Sequence, residues 1–331
     1  MAKKKVDEGR KESDRELGKL EKKLKKQYKE AFEEIRKTAD EYFEEFAEEE
    51  EEKRKEVEAG TITLAAFLAW RSSKMLSGKK YETMVDGLAK DLTRRNRAAA
   101  SAINKFLPAA YAINSNHAAY DVCRSIGINI SFELVDEKTV ERLMKKNPKL
   151  LPQKAEIKTA KDMRWNQQKI KSALTQGILA GDSNDKIAER LQGVTDMSAS
   201  AAIRNARTMT TAAENAGRLD RYHESAALGI RIKKTWVATL DDRTRDAHAL
   251  LDGQTVELDE PFDSILGPIM YPGDPDADPE NVYNCRCTMI RQIEGFEHDL
   301  GSRDLGSVTA DTYEEWKEQA EERARKHQAD D

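Results

Sequence analysis

From Leu17 to Phe46 an apolar residue returns at every third or fourth position: Leu17, Leu20, Leu24, Tyr28, Phe32, Ile35, Ala39, Phe43 and Phe46. That period belongs to an α-helix, and Lys and Glu fill the positions between, so the stretch can bury only one narrow stripe. Residues 1–58 are therefore expected to form one long charged helical arm. It would pack on its own domain or in a coiled-coil pair. Gly60-Thr-Ile-Thr63 breaks the pattern and marks a boundary.

The rest of the composition agrees with a modest core carrying solvated helices. Of the 331 residues 35% are charged and 38% hydrophobic, too polar for one large globule. The length allows two domains, or one domain with long extensions. A net charge of -5 gives no global attraction to nucleic acid or anionic membrane. Basic runs at Lys3–Lys5 and Lys22–Lys26 are offset by acidic neighbours. No apolar run of about 18 residues is present, so no membrane span is expected. The Lys-rich start lacks a following apolar segment and does not resemble a secretory signal. Three cysteines, an odd number, fit a reducing compartment. Cytosolic synthesis is the expectation.

Residues 61–125 are Ala-rich and helical in pattern, with an interruption expected at Pro108. Ile128, Ile130, Phe132 and Leu134 alternate with polar residues, a strand signal. Asn147-Pro148 and Leu151-Pro152 punctuate a loop. Between 160 and 228 the pattern predicts a short helix that starts near Asp182 and ends at Gly193. A longer helix is predicted over 198–227, with Ala202, Ile203, Ala206, Met209, Ala213, Ala216 and Leu219 on one face. Ile230, Ile232 and Trp236 open a strand after Gly229. Thr288–Ile293 is a second strand and Thr255–Leu258 a short third. A polar helix over 309–328 carries Trp316 as its large apolar residue. The fold class is α+β: mostly helical, with a small β-sheet in the C-terminal third and a long charged N-terminal helix. The expected divisions are the arm (1–58), a helical region (59–159), a core (160–300) and a polar helical tail (301–331).

The residues that could carry chemistry gather in one block of the last third. They are Lys234-Thr-Trp236, Asp241-Asp-Arg243-Thr244-Arg245-Asp-Ala-His248, Asp252-Gly253-Gln, Tyr271-Pro272-Gly273-Asp274-Pro and Asn284-Cys285-Arg286-Cys287. If 241–248 is helical, Asp241, Arg245 and His248 become neighbours. A His beside carboxylates serves as general base, as metal ligand or as a structural tie. In an extended chain Cys285 and Cys287 face the same side. Two thiolates with His248 and a carboxylate, Asp241 or Asp274, could form a tetrahedral zinc set. The Cys-x-Cys spacing is one residue shorter than the usual knuckle, and two small buried residues closing a core is the competing reading. Tyr271-Pro-Gly-Asp-Pro is turn chemistry. With Asp276, Asp278 and Glu280 it makes an acidic loop. No phosphate loop, His-Glu-x-x-His or Gly-x-Ser-x-Gly motif is present.

Taken together, this block resembles the phage Mu F-like minor head protein family, also called phage head morphogenesis proteins. Ala206-Arg207-Thr208-Met-Thr210 and Asn215-Ala-Gly217-Arg218 are similar to its Ala-Arg-Thr helix. Trp236, Asp241-x-Arg243-Thr244 and His248 resemble its Trp, Asp-x-Arg-Thr and His elements. Leu251-Asp-Gly253, Phe262, Pro272-Gly273-Asp274-Pro275 and Asn284-Cys285-Arg286-Cys287 complete the set in the family's order. The resemblance covers about 160–295. Arg245 departs from it, standing next to where many relatives place Cys.

The resemblance implies a non-enzymatic minor component of a tailed-phage procapsid. Its partners would be the portal protein and a capsid or scaffolding protein, with packaged DNA within reach and no membrane. Such a protein would be made in the bacterial host cytoplasm, then held in the virion head, and could accompany DNA at ejection. Two alternatives stand beside it. One is a zinc-dependent nuclease or toxin-like enzyme using His248, Cys285, Cys287 and a carboxylate. The other is an internal DNA-binding protein using the basic runs with Arg207, Arg218 and Arg221. Under the favoured reading no cofactor is required, and Trp236, Asp241, Arg243, His248, Asn284, Cys285 and Cys287 hold the fold.

Overall fold

The structure, a computed structural model, describes residues 7–130, 132–146, 154–296 and 307–330. The expected loop at 147–153 and the basic run at Lys3–Lys5 lie outside them. Among the described residues ten helices and three strands follow in chain order: α1 Glu8–Glu44, α2 Ala47–Glu58, α3 Leu64–Met75, α4 Gly78–Ile126, α5 Glu137–Lys146, α6 Thr159–Leu179, α7 Asn184–Ala227, β1 Ile230–Val237, α8 Asp246–Leu250, β2 Thr255–Glu257, α9 Pro279–Val282, β3 Thr288–Phe296 and α10 Tyr313–Asp330. The fold is mainly helical, with one small antiparallel sheet in the C-terminal third, as the sequence predicts.

Two compact units divide the chain. The first comprises Met1–Lys19, Asn104–Lys154 and Arg204–Asp331; the second comprises Leu20–Ile103 and Ala155–Ile203. Helices α1, α4 and α7 each contribute to both.

In the second unit the apolar stripe of α1 is buried within the chain: Leu24, Tyr28, Ala31, Ile35, Ala39, Tyr42 and Phe43 are all inside. Ala31 and Tyr42 take the places the pattern assigned to Phe32 and Phe46. The arm is two helices rather than one, because the chain turns at Glu45 and Phe46. Two tyrosines of α1 are tied by their hydroxyls, Tyr28 to Asn96 Oδ1 (2.7 Å) and Tyr42 to the Met75 carbonyl (2.9 Å). Gly60 closes α2 with φ 72°, and Thr63 caps α3 by accepting from the Ala66 amide (3.1 Å). Helix α2 buries no residue and is the solvated face its glutamates predict.

Two expected breaks are absent. Helix α4 runs through Pro108, although an interior proline costs about 3 kcal/mol. Ile103, Leu107, Ala110 and Tyr111 are buried around it, and their packing outweighs that local cost. Helix α7 likewise runs through the exposed Gly193, where a glycine costs only about 1 kcal/mol. Leu191, Val194 and Thr195 are buried on either side of it. The N-terminal signal there is Ser183 rather than Asp182, which instead pairs with Arg190 (2.7 Å).

The first unit holds the sheet, ordered β2-β1-β3. Trp236 lies opposite Met289 and Thr235 opposite both Thr255 and Ile290, with a register shift at Arg231/Ile232. Alternation along β1 sends Ile230, Ile232, Lys234 and Trp236 inward. The expected strand over 128–134 is not formed among the described residues of that stretch: Ile128 makes an isolated bridge, to Ser307. Ile130 and Phe132 still turn into the core, but the Asn116 carboxamide bonds both the amide and the carbonyl of Val135 (3.0 Å each). A side chain satisfies here what a neighbouring strand would. Trp316 of α10 is fully buried beside Tyr120 and Tyr313, the role its sequence position predicts. Helices α4 and α7 touch through their main chains: a Cβ on Gly217 would lie 2.5 Å from the Tyr111 carbonyl oxygen.

Candidate functional site

The block after β1 has little regular structure of its own, so side chains and tight turns supply its internal bonds. Asp241 opens the first turn. Its Oδ1 accepts from the Arg243 amide (3.1 Å) and the Thr244 hydroxyl (3.1 Å), an Asx-type turn. The same hydroxyl also faces the Thr239 carbonyl, the two acceptors sharing its one proton. Residues 241–245 are thus a turn and not the first coil of a helix, and α8 begins only at Asp246. The expected row of Asp241, Arg245 and His248 on one helical face is not formed. Asp241 instead meets Arg286 through two bonds of 2.6 Å, and Arg245 donates to the Tyr283 carbonyl. The Arg286 guanidinium holds the Asp241 carboxyl well below the usual carboxylate range. The Asp241 side chain is 32% exposed, so this pair is a surface clamp. Arg243 is exposed, 3.8 Å from Asp241.

Beneath the turn lies a small core of Trp236, Ala238, Leu251, Phe262, Ile269, Cys285 and Cys287. Gly253 (φ 84°) lets the chain double back so that its amide donates to the Trp236 carbonyl (2.9 Å). Trp236 meets His248 and Phe262 edge-on, with ring centroids 5.4 and 5.2 Å away. Lys234 is buried in β1, donating to the Leu258 carbonyl (2.7 Å); burial pushes its ammonium down to about 8.

His248, Cys285 and Cys287 converge. Their donor atoms lie within 4.8 Å of one another and all three residues are buried. Nδ1 of His248 is 3.6 Å from Cys285 Sγ and 3.5 Å from Cys287 Sγ. The Cys287 amide points at Cys285 Sγ (3.4 Å). On the far side of the ring, Nε2 is 3.1 Å from Asn281 Oδ1. Asn281 has one orientation, because its amide nitrogen donates to the Gly267 carbonyl (2.9 Å), while its oxygen also accepts from Ser264 (3.1 Å). That oxygen calls for a donor, so the neutral imidazole carries its proton on Nε2 and turns the Nδ1 lone pair toward the sulfurs. The two thiols are unequal. Contact with Cys287 and burial push Cys285 well up, and the bond from Cys285 pulls Cys287 down. Soft sulfur and imidazole donors in this arrangement suit a soft metal ion. Neither sequence-proposed carboxylate joins them: Asp241 is held by Arg286, and Asp274 accepts from the Met270 and Asp276 amides (3.0 Å each) to form a turn.

Helix α7 is the rail on which the block is mounted. Thr208 accepts from the Asn284 amide (3.0 Å), Thr211 donates to the Cys285 carbonyl (3.0 Å), and Asn215 donates to the Pro272 carbonyl (3.2 Å). Asn215 Oδ1 also accepts from the Met289 amide (3.1 Å). Asn284 is the one non-glycine residue with positive φ (58°) among the described residues. Gly273 combines φ 86° with a Cβ position 2.8 Å from the Ala212 amide, so only glycine fits. The Arg286 carbonyl accepts from the Thr239 hydroxyl (2.5 Å) and from Arg10. Arg207 is exposed on α7. Arg218 is buried and grips Asn114 Oδ1 (2.5 Å), Asp7 (2.7 Å) and the Met289 carbonyl (3.4 Å). Arg221 is buried on Glu224 and the Glu133 carbonyl. Neither of these two is available to nucleic acid.

The sequence reading missed Asn281, although Asp278-Pro279 before it is a helix-start signature. It also missed Glu214. Its carboxyl lies 2.5 Å from the Ser13 hydroxyl, and Asn114 donates to the same hydroxyl (3.1 Å). Burial pushes Glu214 up to about 7, against the Ser13 bond and the Arg10 charge.

Residues 168–290, which carry this helical rail and the Trp-centred block closed by Cys-x-Cys and His, match the family described as phage Mu protein F like protein. That segment takes in most of α6, all of α7 and every residue of the block, so the resemblance read from the sequence holds over the site. The chain is 29% identical over 217 residues to minor head protein GP7 of Bacillus phage SPP1, covering 65% of this chain and 69% of that protein. It is 34% identical over 155 residues to the NAD(+)–arginine ADP-ribosyltransferase EFV of Enterococcus faecalis, covering 45% of this chain and 31% of that one. An uncharacterised Haemophilus influenzae protein is 30% identical over 129 residues, which is 26% of its length. No solved structure matches the chain.

Proposed function

We propose that this protein is a minor head component of a tailed phage, made in the host cytoplasm and built into the head during procapsid assembly by binding the portal protein. A capsid or scaffolding protein would be its second neighbour, and packaged DNA would lie within reach in the mature virion, with release at ejection as a later step. The observation that carries this reading is the similarity to GP7 of SPP1, named a minor head protein, over most of that protein's length. A non-enzymatic role is supported by the burial of His248, Cys285 and Cys287, which are 2%, 2% and 3% exposed. No helix among the described residues is long and apolar enough to cross a membrane.

Co-expression with the portal protein of the same phage tests the proposal. The two should co-purify, and virions assembled without this chain should lose infectivity. Failure to associate with portal, capsid or scaffolding protein would sink the assembly role. The likeness to an enzyme named for ADP-ribosyl transfer reaches only 31% of that protein. An enzymatic reading predicts NAD+ turnover by the purified chain; the head-protein reading predicts none.

A further inference from the structure

We propose that Cys285 Sγ, Cys287 Sγ and His248 Nδ1 hold one zinc ion tetrahedrally, with a water molecule as the fourth ligand, and that the ion closes the block. Zinc bonds of about 2.3 Å to sulfur and about 2.0–2.1 Å to nitrogen, at a tetrahedral angle, place those atoms about 3.5 Å apart. The observed separations from Nδ1 are 3.6 and 3.5 Å. A hydrogen-bonding account explains one such distance but not two, because a single Nδ1 lone pair accepts one S–H.

The surroundings are those of a metal-ligating histidine. The opposite ring nitrogen donates to a carboxamide oxygen that Gly267 and Ser264 fix in place, and outer partners of this kind set the tautomer and orientation of a ligating imidazole. Two thiolates and one divalent cation sum to zero charge, which lets the group stay buried. Among the described residues no fourth His, Cys, Asp or Glu donor joins the three, so the fourth position falls to a small exogenous ligand. Zinc here would pin α8 to the 284–287 segment.

The test uses the untagged full-length chain, purified under reducing conditions without chelator. Mass spectrometry should find one zinc per chain. Cobalt(II) exchanged into the site should give a tetrahedral visible spectrum with a thiolate charge-transfer band, and azide should shift the visible bands by replacing the water. Cys285→Ser with Cys287→Ser should abolish binding. Because that variant could misfold, Asn281→Ala provides a second reading: it leaves all three ligands intact and should weaken zinc about 10–100-fold, the usual cost of losing an outer partner. Asn281→Asp keeps the acceptor oxygen and should restore affinity. The proposal is overturned if the wild-type chain stays far below stoichiometric zinc after reconstitution, or if the double serine variant binds as tightly as wild type.

Discussion

The α1 stripe and the block after β1 are held together by different physics. Along α1 of the second unit, Leu24, Ile35, Ala39 and Phe43 bury apolar surface at helical spacing, and hydrogen bonds are secondary. In the block, backbone groups left open by short strands and tight turns are closed one by one by Thr208, Thr211, Asn215, Asp252 and Asp274. The stripe tolerates any substitution that keeps volume and apolarity. The block depends on particular atoms, and a change of one atom can leave a buried donor unmet.

The largest expected loss is at Trp236, which is fully buried. Trp236→Ala should cost about 3–5 kcal/mol, and Leu24→Ala in the second unit about 2–5 kcal/mol. If the units unfold separately, chemical denaturation followed by site-specific probes will show each variant moving its own transition. A single shared transition moved equally by both would erase the distinction between the regions.

Glu214 comes next and can be isolated by pH. Its carboxyl is raised from an ordinary 4.5 to about 7 by burial, so the folded chain keeps a proton that the unfolded chain releases. Its contribution is therefore full below about pH 4.5 and is lost as pH rises toward about 7. The shift corresponds to about 3 kcal/mol. Glu214→Gln should be more stable than wild type at pH 8 and should flatten the pH profile between those limits. An unchanged profile would show that Glu214 is ionised in the fold.

What the sequence disclosed follows the same division. Helical spacing is written in residue order, so the stripe, β1 and the Trp316 tail were legible. Breaks at Pro108 and Gly193 were misread, because the packing that overrides them comes from residues far away in the chain. Ile130 and Phe132 do face inward, as the alternation over 128–134 implied, yet it could not reveal that Asn116 takes the place of a strand. In the block, residue types announced that Trp236, His248, Cys285 and Cys287 matter. The partner of Asp241 was hidden, since nothing local distinguishes Arg286 from Arg245. Asn281 was hidden because a carboxamide carries no periodic signature.

Smaller effects separate polar closure from mere packing. Asn215→Ala strips a partner from the Met289 amide and should cost about 1–3 kcal/mol in denaturant melts. Asn215→Asp keeps an acceptor but sets a buried carboxylate against the Pro272 carbonyl, and should lose more; a smaller loss would mean that the donated bond contributes little. Gly273→Ala should cost about 1–3 kcal/mol from positive φ alone, and more if Ala212 cannot retreat. The smallest change is expected at Asp241. Its pair with Arg286 is solvent-accessible, so Asp241→Asn should leave the unfolding midpoint nearly unmoved at neutral pH and moderate salt. A large loss there would mean that the surface clamp, and not the helical rail, holds the block.

Where Gly217 of α7 meets Tyr111 of α4, peptide groups touch with no side chain between them. The gauge of that crossing is set by the thickness of the main chain, a quantity mutation cannot alter. Neighbouring side chains can grow or shrink without resetting the spacing, so the crossing works as a fixed datum from which the positions of Arg218, Asn215 and the block hung on them are measured.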